Sequence, residues 1–153
     1  MYCSQNCTDC QGDWNVSTLM QRDLEDLLYF YRVDLAIYGH YHSYQRTCAV
    51  YNQSCVEDGI VHIVVGTAGF GIDDSGQFID TQWNEFYWVK RVGHDSWNST
   101  FFFFFQIFKI FKFGWGYLLI STKENPHEMS VQLISSKDPT QVVDQILIQR
   151  KKL

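Results

Sequence analysis

The spacing of apolar positions changes along the chain, and the changes mark its elements. Residues 1 to 16 are polar and cysteine-rich and predict a loop. From Thr18 the spacing turns helical: Met20, Leu24, Leu27, Leu28 and Tyr31 recur at the period that lines one face of an α-helix. Thr18 and Gln21 fit a capping box at its start, and Asp23, Glu25 and Asp26 lie where the helix dipole favours carboxylates. This predicts an ordinary packing helix. "VDLAIY" (33 to 38) is a short, almost wholly apolar run ending at Gly39, the pattern of a strand buried on both faces. "GIVHIVVGTAG" (59 to 69) predicts a second buried strand running into a glycine-rich turn, with His62 as a core histidine rather than a ligand. The "GTAGFG" turn has a faint likeness to a phosphate-binding loop, but no helix carrying the needed Lys or Ser/Thr follows it.

In the last third the period becomes two. "GYLLIS" (116 to 121), "EMSVQLIS" (128 to 135) and "VVDQILIQ" (142 to 149) predict antiparallel, partly exposed strands, with Pro126 and Pro139 in the turns between them. One block fits neither pattern. "GHDSWNSTFFFFFQIFKIFKF" (93 to 113) holds ten apolar residues between Phe101 and Phe113, interrupted by Gln106, Lys109 and Lys112. It is too short and too polar for a membrane span, which needs about 20 apolar residues. As a strand it would be a strong aggregation segment. Phenylalanine codons are pyrimidine-rich, so we also entertain a translated polypyrimidine tract before a splice acceptor. Transcript reads carrying these codons at full depth would exclude that origin. The whole reads as an α/β start feeding a β-rich end, one domain over residues 1–153 with 93–113 as an atypical insertion.

Composition narrows the partners. At 153 residues and 46% hydrophobic, the chain is long enough to bury a core and is globular rather than disordered. A net charge of −5 with no basic stripe argues against a nucleic-acid partner; only the terminal "QRKKL" is basic. Four N-x-S/T sequons, at Asn6, Asn15, Asn52 and Asn98, favour a secreted or lumenal glycoprotein, and five cysteines agree. Cys48 and Cys55 flank "AVYNQS", a loop of the length one disulfide closes. Cys3, Cys7 and Cys10 crowd the start, and the Cys7/Cys10 CxxC favours a disulfide over zinc, since no second CxxC or nearby His completes a zinc site. Met1 leads into polar "YCSQNCTDC", with neither a basic n-region nor an apolar h-region. The expectation is that a leader was cleaved or that the chain starts inside a longer protein.

The candidate chemistry lies in "YGHYHSYQR" (38 to 46). Two histidines stand one residue apart at the end of a buried strand, beside a glycine turn. Side chains two apart on extended backbone share a side, and neutral imidazoles suit Fe, Zn and Mn-type centres. Gly39-His40-Tyr41-His42-Ser43-Tyr44-Gln45-Arg46 resembles the last metal motif of the purple acid phosphatases of the metallophosphoesterase superfamily, with Gln45 where a Glu is usual. "MYCS", "LEDLLYFYRVDLAIYGH", "VYNQSC", "DGIVHIVVGTAG", "FGWGYLLI" and "VVDQILIQR" resemble further segments of that family. The likeness covers most of 1–92 and 113–150.

The resemblance implies the C-terminal half of a four-layer αββα sandwich. It also implies a dinuclear metal centre, Fe with Fe, Zn or Mn, at a spacing of about 3.5–4 Å, in which hydroxide attacks a small phosphate monoester in line. His40 and His42 would each ligate one metal. The family's other ligands, two Asp, an Asn and a His before an xPxY motif, have no counterpart here, and residues 3 to 39 contain no histidine. Two imidazoles alone cannot hold such a centre. The resemblance therefore gives an acid phosphatase of which this chain is a C-terminal fragment, inactive when isolated. The alternative is a non-catalytic fragment or degenerate paralogue that is secreted and binds metal at most weakly. A secreted disulfide-rich interaction module would explain the sequons and cysteines but leave GHYHSYQR unexplained. Half a sandwich would expose strand edges, which predicts a homodimer or aggregation that sedimentation would reveal; a concentration-independent monomer would contradict it.

Overall fold

A computed structural model describes residues 2, 5–6, 11–67, 77–78, 84–88, 116–122 and 127–149. The elements are β1 (Gln5–Asn6), α1 (Gln11–Phe30), β2 (Leu35–Tyr38), β3 (Tyr44–Tyr51), β4 (Ser54–Cys55), β5 (Ile60–Val65), β6 (Gln77–Phe78), β7 (Asn84–Trp88), β8 (Gly116–Ser121), β9 (Glu128–Ser135) and β10 (Val142–Gln149). Cys3, Cys7, Cys10, Asn98 and the Phe-rich block 93–113 lie outside the described residues.

The helix starts seven residues before the expected capping box, so the stretch read as loop up to residue 16 is partly helical. A cap contributes about 1 kcal/mol, whereas each further residue adds a backbone hydrogen bond, so a cap-like pair does not stop the helix from extending upstream. Its other end is sharply defined. Val33 N–H donates to Leu28 O and Arg32 N–H to Tyr29 O, both at 3.0 Å. Arg32 takes a left-handed φ of 58°, which completes a Schellman closure.

Only part of the expected apolar face packs. Met20 and Leu28 pack against a buried cluster of Tyr2 and Val50, together with Tyr38 and Cys48. Leu24, Leu27 and Tyr31 are exposed, as are Val16, Leu19 and Phe30. The apolar positions wrap more than half of the helix, and the sheet beneath covers only one side.

Three layers result. In the central sheet the order is β2-β5-β3-β4, with β7 also pairing β3. Here β2 runs parallel to β5 and β3 antiparallel to it. Helix α1 covers one face of this sheet. The other face packs on the antiparallel sheet β10-β9-β8 through Tyr44, Val61 and Ile63 on one side and Val131, Leu133 and Ile148 on the other. With cover on both faces, β5 is buried along almost its whole length, which is why its sequence is apolar apart from His62. The apolar run of β2 also predicts burial on both faces, but β2 lies at the sheet edge, with Ile37 45% exposed. The bounds of the three C-terminal strands and their antiparallel pairing match the expectation, but burial does not alternate cleanly along them, since a register shift in β10 puts Val143 with Ile146 and Ile148 against the core and leaves Val142 exposed.

The hairpin between β3 and β4 turns on Asn52 and Gln53, whose φ values of 48° and 60° make a two-residue turn of the mirror-image type that suits sheet twist. The Cys48–Cys55 disulfide closes it, as the sequence spacing predicts, with Cα atoms 5.8 Å apart. Behind the turn, Asn52 N–H donates to Glu25 Oε1 at 3.0 Å and Gln53 N–H to Tyr2 Oη at 2.8 Å. Tyr2 Oη in turn donates to the buried Glu25 carboxylate.

A second polar knot joins the two main sheets. Arg46 Nε and Nη2 donate to Asp144 Oδ2 and Oδ1 at 2.7 and 3.1 Å. Tyr44 Oη donates to Asp144 Oδ2 at 2.8 Å. The β9–β10 register slips between Val142 and Asp144, and such a bulge re-aims the side chain that follows it. Among the described residues, no helix is long and apolar enough to cross a membrane.

Candidate metal-ligand turn

The chain leaves β2 at Tyr38 and re-enters the sheet as β3 at Tyr44, so residues 39 to 43 form a tight connection that carries both histidines. It lies at the carboxyl end of the parallel pair β2/β5, where open α/β sheets place their ligand crevices. Tyr41 N–H donates to Gly39 O at 3.1 Å, an i to i+2 bond centred on His40. His40 has a φ of 79°. Together these define the rare, strained form of the γ-turn. A non-glycine residue in this region costs about 1–3 kcal/mol and persists only where its surroundings hold it there.

His40 is exposed and stands edge-on to the Tyr41 ring at 5.5 Å, whereas His42 is half-buried. Ser43 is fully buried, and its carbonyl accepts from Gly66 N–H at 2.9 Å. Gln45 is also buried, and its Nε2 donates to Ser43 Oγ at 3.0 Å. A glutamate at Gln45 would put a carboxylate in this buried place, so the amide matches the environment seen here.

Below the turn, the Tyr38 hydroxyl is hydrogen-bonded to His62 Nδ1 at 3.2 Å, and the two rings lie nearly parallel. Burial pushes the Tyr38 phenol up to about 12. The Tyr2 ring leans on His62 at a centroid distance of 5.0 Å. His62 is 1% exposed, with its backbone N–H bonded to Thr47 Oγ1, and so occupies the core position expected from the sequence.

The dinuclear centre that the resemblance implies needs more donors than two imidazoles. Among the described residues, no group of three or more His, Cys, Asp or Glu side chains gathers where it could hold a metal ion. His40 and His42 have the right donor chemistry for two ligands, but the described residues do not fit a complete two-metal site.

Of the sequon residues, Asn52 is exposed at the hairpin tip and Asn15 is exposed on α1. Asn6 lies in β1. The sequence pattern does not reveal the Tyr2–Glu25 support, the Asp144 knot or the Gly66–Ser43 bond, because each joins residues far apart in the chain.

The fold is similar to that of the C-terminal, β-rich part of a purple acid phosphatase. In sequence, 59 residues are 42% identical to a protein of Arabidopsis thaliana named probable inactive purple acid phosphatase 24, covering 32% of this chain and 10% of that one. A stretch of 80 residues is 36% identical to purple acid phosphatase 13 of the same plant, covering 48% and 15%. Among solved structures, purple acid phosphatase PPD1 from yellow lupin (Lupinus luteus) seeds superposes with a TM-score of 0.60 at 26% identity, over 84% of this chain and 20% of that one. No family model matches the chain. The chain thus spans between a tenth and a fifth of the length of these proteins.

Proposed function

We propose that the chain supplies the histidine turn and C-terminal sheets of a purple-acid-phosphatase-type hydrolase acting on small phosphate monoesters. His40 and His42 each ligate one metal of an Fe–Fe, Fe–Zn or Fe–Mn pair. The supporting observation is the strained γ-turn at His40, placed at the carboxyl end of β2 in a fold similar to that of a purple acid phosphatase. The pair would supply a nucleophile and neutralise phosphate charge. The chain's own part is to hold two imidazoles and exclude water beneath them with Ser43, Gln45 and His62.

A second reading is favoured by the donor set itself: a chain that binds metal weakly and does not catalyse. The purified chain, supplied with Fe and Zn, is assayed on a chromogenic phosphomonoester at acidic pH alongside His42→Ala. We expect no turnover from the chain alone and weak Zn²⁺ binding that His42→Ala abolishes. Turnover that disappears in His42→Ala would refute the non-catalytic reading, and undetectable Zn²⁺ binding would refute the ligand assignment.

The sequons and the disulfide support a secreted or lumenal glycoprotein. Expression through a eukaryotic secretory route should give a glycosidase-sensitive mobility shift, part of it lost in Asn52→Gln. An unshifted secreted chain would contradict this.

A further inference from the structure

We propose that Gly66 is the positioning residue of the histidine turn, holding His40 in its strained conformation before any ligand arrives; this rests on the reading that His40 and His42 are ligands. A left-handed γ-turn at a histidine needs an external constraint, and Gly39 does not provide it. A Cβ built on Gly39 would meet nothing within 4 Å. At Gly66, by contrast, a Cβ would stand 1.8 Å from Tyr41 O, 2.6 Å from Tyr41 C and 3.0 Å from His42 Cα. These are backbone atoms inside the turn, which cannot swing aside as a side chain does. The missing side chain at residue 66 is therefore what lets the Tyr41–His42 backbone sit against the end of β5.

Two further bonds fix this seat. Gly66 N–H donates to Ser43 O at 2.9 Å, which ties down the exit of the turn. The neighbouring Thr67 is fully buried, its Oγ1 donates to Gly116 O at 3.1 Å, and its carbonyl accepts Gly116 N–H at 3.2 Å. Constraint thus runs from the first residue of β8, through Thr67 and Gly66, to the backbone between the two histidines. A turn preformed in this way lowers the ordering cost of capturing a ligand.

The test uses the whole chain without metal, then with Zn²⁺ as the probe. Backbone chemical shifts report φ at His40, and hydrogen exchange reports the amides of Tyr41 and Gly66. In the wild type we expect a left-handed His40 and both amides protected. Gly66→Ala should lose the left-handed signature and weaken Zn²⁺ binding about 10- to 100-fold, the range seen when groups orienting a metal ligand are removed.

Gly59→Ala is the control. A Cβ there would come within 2.5 Å of Ala49 C and Val50 N, comparable crowding at the opposite end of β5. It should lower stability and leave the His40 signature in place. An unchanged His40 signature in Gly66→Ala, or its loss in Gly59→Ala as well, overturns the proposal. If Gly66→Ala does not fold, the wild type still decides. An unprotected Gly66 amide or a negative φ at His40 in the metal-free chain overturns the seat, and protection with a left-handed φ supports it. A wild type that keeps the turn yet shows no Zn²⁺ response at His40 or His42 overturns the ligand reading while supporting the seat.

Discussion

Removing the Asp144 carboxylate tests whether the interface between the two main sheets depends on one polar knot. In Asp144→Ala, the Arg46 guanidinium loses its bonds at 2.7 and 3.1 Å. Tyr44 Oη loses its acceptor at 2.8 Å. The Arg46 and Asp144 side chains are 13% and 7% exposed, so water screens them little and cannot replace the lost partner. Removing one member of a buried ion pair typically costs about 3–5 kcal/mol, because the other charge is left buried. Against a total stability of about 5–15 kcal/mol this is a large fraction. At roughly 2–4 °C per kcal/mol for a chain of this size, Tm should fall by about 6–20 °C.

The assay is urea and thermal unfolding followed by circular dichroism, comparing wild type, Asp144→Ala and the double variant Arg46→Met/Asp144→Leu. The double variant removes both charges and should recover most of the loss, since an apolar pair of similar volume is often as stable as the ion pair it replaces. A single variant within about 1 kcal/mol of wild type would refute the reasoning, because about 3 kcal/mol is the least that stranding a buried charge should cost. Equal losses in the single and double variants would place the cost in packing rather than charge.

Two further outcomes follow from the same interior. Tyr2, Tyr38 and Tyr44 all have phenols raised above the ordinary value near 10, in each case first by burial, with the neighbouring carboxylates of Glu25 and Asp144 adding to the effect at Tyr2 and Tyr44. Above about pH 10 the unfolded chain gives up protons that the folded chain keeps, so this stability is fully present below that pH and falls as pH rises, by up to about 4 kcal/mol per unit for three groups. Urea midpoints measured across the alkaline range check this; a flat profile would contradict it. Replacing Cys48 and Cys55 by serine opens a loop of sequence separation 7. Chain-entropy arithmetic gives a cost of about 2.5 kcal/mol, a Tm drop of about 5–10 °C, and a shift under about 2 °C would show that the preformed hairpin already restrains the unfolded chain.

The legible part of the candidate site was its local part. His40 and His42 could be picked out because a short apolar strand, a glycine and an alternating histidine pair are contiguous in the chain. Gly66 could be seen as a turn residue, but not as the seat of the Tyr41 carbonyl, because that contact depends on how β5 lies beside β3. The helix shows the same division. Its periodicity was readable, yet which of Met20, Leu24, Leu27 and Leu28 would pack was not, since an apolar stripe does not say which neighbour covers it.

By itself, the sequence determined the presence of the helix, the strands β2, β5, β8, β9 and β10, the antiparallel character of the last three, the Cys48–Cys55 closure and the resemblance carried by the histidine motif, but not the central strand β3 or the helix's first turns. These follow from periodicities and short-range spacing, which the chain expresses before it folds. Tertiary structure decided the layer order, the bulge that brings Asp144 to Arg46, and the strained φ of His40. Each of these needs a second segment, tens of residues away, to press backbone or charge into a place that no local preference would choose.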